Sequence, residues 1–484
     1  MGTRKNFAKD VVYSGISKYS TIIIALIVTA VLSRILTPDD FGVVAIATVF
    51  IAFFNLLSDF GIAAAIVQFK DLTKKDISNI FGWSFWLAVL LSTTFFFCSP
   101  FIGSFYGNPL LTPICRFLSL QIFFATLNIV PNALLLKNKK FNVIAIRTLT
   151  IQILCGIVSV IVALNGVGVY ALLINPILGI FINLVINVVY MKMTINLLPA
   201  FSSLKKIFSF SIFQFLFNFV NYIGNNLDKM IIGKAINMSG LGYYEKAYRL
   251  GQMPAQTINK VIGPVLHPYL SDYQKQPDKL LNVYDKMNRI LLTLSFPMSA
   301  FCLLCSRELV LIVFGSQWVE SIVYFAIISI TITTHLASSP TGSILQANNK
   351  TNLLFYLGVI NTCLSIISLS IGAFVIGSIK GICYMGIISS ILGFINTYVA
   401  TYKLCFGKSP LPIFLFTLRP LIYFLIVGVM GFFITTHFVI PNLFISFFVK
   451  ILIWITATFV FAQFYTPFKP TEYYNVIKSK IRNQ

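Results

Sequence analysis

Apolar residues run along this chain in stretches of roughly 20 or more, each long enough to cross about 30 Å of hydrocarbon as a helix. The pattern predicts fourteen spans, over 10–36, 42–69, 80–105, 114–137, 147–165, 168–191, 207–236, 243–270, 286–314, 320–347, 350–377, 381–405, 417–439 and 443–466. The expected fold class is therefore an all-α integral membrane protein. The start, MGTRKNFAKD, is basic and leads into a long span with no small-residue cleavage site behind it, so a retained first helix is expected.

Two spans break the apolar pattern in a periodic way. In FQFLFNFVNYIGNNLDKMIIGK, residues 213–234, the side chains Gln214, Asn218, Asn221, Asn225 and Asp228 fall within an arc of roughly 80° on a helix. Residues 243–270 carry a second stripe, Glu245, Arg249, Gln252, Gln256, Asn259 and Lys260, with Pro254 inside it. Moving the first stripe back by 200 residues places Ser14, Lys18 and Thr21 on the first span. Asn55 and Asp59 add one turn of polarity to the second span, and Arg116 adds a charge to the fourth. Such faces in hydrocarbon need water or polar partners. Helix-to-helix amide bonding is the alternative use of the asparagines.

Composition sharpens the picture. Of 484 residues, 57% are hydrophobic and only 10% charged, which excludes a soluble multidomain chain. The formal charge of +22 is not gathered into a nucleic-acid footprint. It alternates by loop: the N-terminal tail (Arg4, Lys5, Lys9), then Lys70 with Lys74 and Lys75, Lys137 through Arg147, Lys192 with Lys205 and Lys206, Lys275 through Arg289, Lys350, Lys403 through Arg419, and the C-terminal tail. The positive-inside rule then places both termini and every even-to-odd loop in the cytoplasm.

Eleven charges lie in or near spans: Lys18, Arg34, Asp59, Arg116, Asp228, Lys229, Lys234, Glu245, Lys246, Arg249 and Lys260. Facing lipid, they would cost on the order of 30 kcal/mol as an upper bound, so most are expected to face inward. Lys246 is expected instead to snorkel to headgroups or to pair locally. Eight of the eleven are basic, which favours an anionic cargo. Asp59, Asp228 and Glu245 are the candidates for coupling to an ion. The eight cysteines read as small hydrophobes in spans, Cys302 and Cys305 included, and the three histidines are isolated. No metal or cofactor is expected. No GxxxxGK[ST] pattern and no nucleophile–base constellation occurs, so an enzyme is not expected.

The chain also repeats itself weakly. RILTPDDFGVV from Arg34 echoes KAINMSGLGYY from Lys234, SFYG ending at Gly107 echoes IVFG ending at Gly315, and GVYALL from Gly168 echoes GICYMG from Gly381. An even number of spans between copies gives parallel halves, a recurrent transporter plan.

The stretch SRILTPDDFGVVAIATVFIAFFNLLSDFGIAAAIVQ (33–68), with NNLDKMIIGKAINMSGLGYYEKAYRL (225–250), LHPYLSDYQ (266–274) and VFGSQWVES (313–321), resembles the polysaccharide transporter branch of the multidrug, oligosaccharidyl-lipid and polysaccharide exporter superfamily. The likeness is to colanic acid, O-antigen and teichuronic acid exporters. It implies two six-helix lobes in a V around a cationic central cavity, 1–200 and 201–408, followed by two further helices and a basic tail over 409–484. It implies flipping of undecaprenyl-pyrophosphate-linked oligosaccharide across a bacterial inner membrane, driven by an ion gradient. The implied partners are that lipid-linked sugar, membrane lipids and a polysaccharide polymerase, with no nucleic acid. The resemblance singles out Lys18, Arg34 and Lys260 in that cavity, and together with the polar faces the expected cargo-binding set is Lys18, Arg34, Arg116, Asn218, Asn221, Asn225, Arg249, Gln252, Gln256 and Lys260. A drug or organic-cation antiporter would need an acidic cavity, and a non-transporting assembly scaffold would move nothing.

Overall fold

A computed structural model describes residues 2–69, 71–200, 215, 219–220, 222–224, 226–271, 276–348, 350–437 and 440–465. All regular structure among them is helical. The chain separates into two compact units, Met1–Gly242 and Tyr243–Gln484.

The first unit opens with α1 (Gly2–Ile35), α2 (Pro38–Asp59), α3 (Ile62–Gln68) and α4 (Lys74–Tyr106). It continues with α5 (Leu111–Lys137), α6 (Phe141–Leu164), α7 (Ile180–Met191) and α8 (226–235). Local chemistry sets these boundaries. Thr37 and Thr73 each form a capping box with the aspartate three residues on, Asp40 and Asp76, and Pro38 supplies a first-turn residue that needs no N–H partner. The α2/α3 break at Phe60 and Gly61 takes left-handed backbone, φ 36° and 75°. Gly107, φ 64°, closes α4. Inside, Ile62, Ile66, Ile80, Phe81, Leu127 and Val130 form a core joining α3, α4 and α5, while Leu32, Leu36, Ala163 and Ala171 seal α1 on α6.

Three loops meet at one end of this unit. Lys137 Nζ donates to Phe69 O at 2.6 Å, and Ser78 Oγ donates to Thr194 O at 2.9 Å. These three loops, which the charge pattern assigns to one side of the membrane, lie at one end of this unit.

The second unit contains nearly all of α9 (Met238–Ser271), then α10 (Pro277–Leu304), α11 (Ser306–Phe314), α12 (Val319–Ser329), α13 (Ile332–Ser338) and α14 (Thr341–Ala347). It ends with α15 (Thr351–Ser370), α16 (Ile379–Ala400), α17 (Leu411–His437) and α18 (Leu443–Tyr465). The stretches 316–329 and 332–347 meet at a 42° bend, as a broken span or a re-entrant loop would. Leu280, Tyr284, Leu292, Phe296, Ile344, Tyr398 and Ile413 build its main core. The two last helices dock on this unit, with Trp454 Nε1 donating to Pro297 O at 2.8 Å.

Helices occupy every one of the expected spans in the described residues, but only ten are long and apolar enough to cross a membrane on those grounds, or eleven with the bent pair. The count of fourteen therefore rests on α1, α8 and α9. These are the helices on which the polar stripes were read.

The internal echoes reappear as matched caps. Asp40 N donates to Thr37 Oγ1, and 200 residues on Gly240 N donates to Asn237 Oδ1 at 2.6 Å. Gly107 closes α4 as Gly315, φ 102°, closes α11. The third echo is shifted: Gly168 has φ 65°, but its counterpart in conformation is Gly377, also φ 65°, while Gly381 lies inside α16. The conformational match is four residues, about one helical turn, earlier than the letters suggest.

Candidate functional site

The polar faces are best located from the faces that pack. On the seventh span, Phe215 lies 5.0 Å from the Phe60 ring, Tyr222 and Phe219 contact Phe53, and Tyr222 Oη donates to Val49 O at 3.1 Å. Positions 215, 219, 222 and 226 therefore form the face turned to α2. In the sequence, the polar positions 214, 218 and 221 each come one residue before these. Gln214, Asn218, Asn221 and Asn225 themselves lie outside the described residues. Asp228, which continues the stripe, is buried, and its Oδ1 accepts from Lys229 N at 2.9 Å.

The eighth span repeats this design. Tyr244, Ala247, Gly251 and Ala255 are buried, and Gly251 faces Ile328 so closely that an added Cβ would stand 2.9 Å from its Cγ2. The polar stripe is rotated from that face: Glu245 is half-buried, Gln252 is buried, and Arg249 and Gln256 are exposed. Lys18 and Lys260 lie in helices, with side chains outside the described residues.

The remaining candidates have individual placements. Arg34 is exposed at the end of α1, and its Nη1 donates to Ala30 O at 3.0 Å. Its repeat counterpart Lys234 donates to Phe105 O and sits 4.6 Å over the Phe105 ring. Arg116 is exposed, with its guanidinium 5.2 Å from the Phe96 ring. Asp59 Oδ1 accepts from Ala63 N at 3.2 Å, so this carboxylate caps α3 across the break. Asn55, one turn earlier, keeps a buried Oδ1 without a hydrogen-bond partner among the described residues.

Lys246 overturns the headgroup half of its expectation and leaves local pairing standing. It does not reach headgroups: it is 2% exposed, with Nζ 5.0 Å from the Phe314 ring and 5.1 Å from the Trp318 ring. Tyr243 stands edge-on to Trp318, and Ser321 Oγ donates to Tyr243 O at 2.8 Å. The motifs YYEKAYRL and VFGSQWVES thus meet as an aromatic cage around an ammonium.

Sequence reading also missed two buried charge sites. Glu308 is fully buried and bonded by both oxygens to Lys450 Nζ at 2.9 Å, with Ser446 Oγ donating to Oε1 at 2.7 Å. The signal available was the one acid of the span 286–314 and the one charge of the span 443–466. Arg147, read as a loop residue, lies inside α6 and is 8% exposed. Its guanidinium donates to Asn187 and, at 3.4 Å, to Asn132, while Asn187 Nδ2 donates to Asn128 at 2.7 Å. Cys302 and Cys305 are both buried, and Cys305 belongs with the core between α10, α17 and α18.

Long apolar helices in two compact units define a multi-pass membrane protein. Its fold is similar to that of a multidrug resistance MATE family transporter of the MOP superfamily, solved in its own inward-facing conformation: the match covers 79% of this chain and 95% of that one, with TM-score 0.62 and 16% identity. Residues 31–323 match the polysaccharide biosynthesis protein family, and the chain belongs to it. It is 25% identical over 415 residues to the lipopolysaccharide biosynthesis protein WzxC of Escherichia coli, covering 84% of this chain and 83% of the relative. It is also 23% identical over 318 residues to the succinoglycan biosynthesis transport protein ExoT of Rhizobium meliloti, covering 65% and 64%.

Proposed function

We propose that this protein exports surface polysaccharide precursors by flipping an undecaprenyl-pyrophosphate-linked oligosaccharide across the bacterial inner membrane. Its membership of the polysaccharide biosynthesis family over 31–323, on a transporter fold, carries this reading. The charge pattern agrees with the cargo. A pyrophosphate leaving water needs cations and hydrogen-bond donors in place of its hydration, and Arg and Lys suit that contact. Lys18, Arg34, Arg116, Arg249 and Lys260 would supply charge, and Asn218, Asn221, Asn225, Gln252 and Gln256 would bond sugar hydroxyls or phosphate oxygens.

Alternating access would be driven by an ion gradient. Asp59, Asp228 and Glu245 would be the coupling candidates, with Asp59 standing at the start of α3. With both termini cytoplasmic, the protein would hand its cargo to a polysaccharide polymerase on the far side.

The test is reconstitution. Purified protein in liposomes should move lipid-linked oligosaccharide between leaflets, at a rate that depends on an imposed proton or sodium gradient. A drug antiporter would instead exchange organic cations, and a scaffold would move neither.

A further inference from the structure

The segment 193–200 leaves α7 without regular structure, yet it is strapped to α4. Ser78 Oγ donates to Thr194 O at 2.9 Å, Asn196 Nδ2 donates to Asn79 Oδ1 at 2.7 Å, and the indole of Trp86 donates to Leu197 O at 2.9 Å. Trp83 Nε1 reaches Ala200 O at 3.4 Å, and Leu198 N bonds Asn196 Oδ1 at 3.2 Å in a local turn. Contact is close enough that a Cβ on Gly82 would stand 1.8 Å from Asn196 O.

Depth follows from length. α4 has 33 residues, about 50 Å of helix, against roughly 30 Å of hydrocarbon, so about 10 Å at each end lies among headgroups. The strap covers the stretch from Ser78 to Trp86 and so crosses that boundary. Irregular backbone there needs its carbonyls bonded, which the two indoles provide. Meanwhile Leu198 is 89% exposed and Leu197 51% exposed, side chains that suit acyl chains and not water.

Charge says what lies outside. Exposed Lys74 and Lys75 stand one turn above Ser78 and Asn79 on α4, and exposed Lys192 immediately precedes the strap. Asp76 is occupied by the Thr73 capping box, leaving Asp71 as the free acid of that loop. We propose that residues 193–200 form an interfacial strap that docks on anionic phospholipid, with leucines in the acyl region and the three lysines on headgroup phosphates. The order of the segment leading out of the first repeat then depends on the composition of its leaflet.

Amide hydrogen exchange on the full chain tests this in nanodiscs of phosphatidylcholine alone and of phosphatidylcholine with one part in three phosphatidylglycerol. Exchange over 193–200 should be on the order of tenfold slower with the anionic lipid, and K74Q/K75Q/K192Q should return it to the phosphatidylcholine rate. L197S/L198S should exchange faster in both, and all variants should keep wild-type exchange in α5. Equal exchange in the two lipids overturns the proposal. So does slowing that inorganic phosphate reproduces, or that appears only when lipid-linked oligosaccharide is added. No readout here depends on transport, so failure of this inference leaves the proposed function standing, and the reverse.

Discussion

Ser239 Oγ donates to Asp39 Oδ1 at 3.2 Å, a hydrogen bond between residues 200 positions apart in a chain whose repeat offset is 200 at this point. The surrounding contacts are reciprocal. A Cβ on Gly42 would lie 1.8 Å from Met238 O and 3.2 Å from Gly242 N, and one on Gly242 would lie 1.9 Å from Pro38 O and 3.2 Å from Gly42 N. The first turns of α2 and α9 are thus related by a local twofold, and both glycines allow backbone to touch backbone.

Substitution at either glycine tests that crossing. Gly42→Ala and Gly242→Ala should each destabilise by about 3 kcal/mol, because backbone on the far side cannot move aside as a flexible side chain would. The double variant should cost less than the sum, since one displacement relieves both clashes. Gly386→Ala, with nothing within 4 Å of its Cβ, is the control and should be near neutral. Thermal unfolding in detergent reads all four.

The Glu308–Lys450 pair makes a different demand. Glu308→Gln or Lys450→Met alone should cost about 3–5 kcal/mol, because each leaves a buried charge uncompensated. Glu308→Gln with Lys450→Met should recover most of that loss. Thermal unfolding of the two single variants and the double separates a charge effect from simple loss of packing between α11 and α18.

The seventh span can be checked by labelling. In a background without native cysteines, Cys at 218, 221 and 225 should react with a hydrophilic maleimide about tenfold faster than Cys at 219 and 222, which pack on α2. Equal rates would mean the stripe does not line water.

Most of the architecture was legible because each span is long and apolar, and because the capping residues Thr37, Thr73 and Asn237 mark starts on their own. The polar stripes were legible as faces, since periodicity fixes positions around a helix. What those faces meet was not. Lys246 reads like any interfacial lysine until Phe314 and Trp318, some 70 residues away, close around it. Glu308 and Lys450 are 142 residues apart, and nothing local in either span names the other. Arg147 follows a run of loop lysines and was counted with them, although its helix had already begun at Phe141. Pairings across sequence are set by packing, which periodicity does not encode.

Topology is open to reporter fusions. Fusions after Lys139, and within 193–200, should both report cytoplasm, and one near Asp40 should report the outside. A split between the first two would contradict the shared end that Lys137–Phe69 and Ser78–Thr194 define.

The central claim is that cations receive a pyrophosphate-linked cargo, and lipid-linked oligosaccharide flipping by purified protein in liposomes tests it most directly. Lys18→Ala, Arg34→Ala and Lys260→Ala combined should slow flipping by about 100-fold or more while leaving insertion and thermal stability intact, since each lost charged contact is worth about 1.5–3 kcal/mol. Glu at the same positions should be worse than Ala. Flipping by the triple Ala variant at the wild-type rate would contradict the cationic mechanism, all the more if neutralising Asp59, Asp228 and Glu245 abolished transport instead.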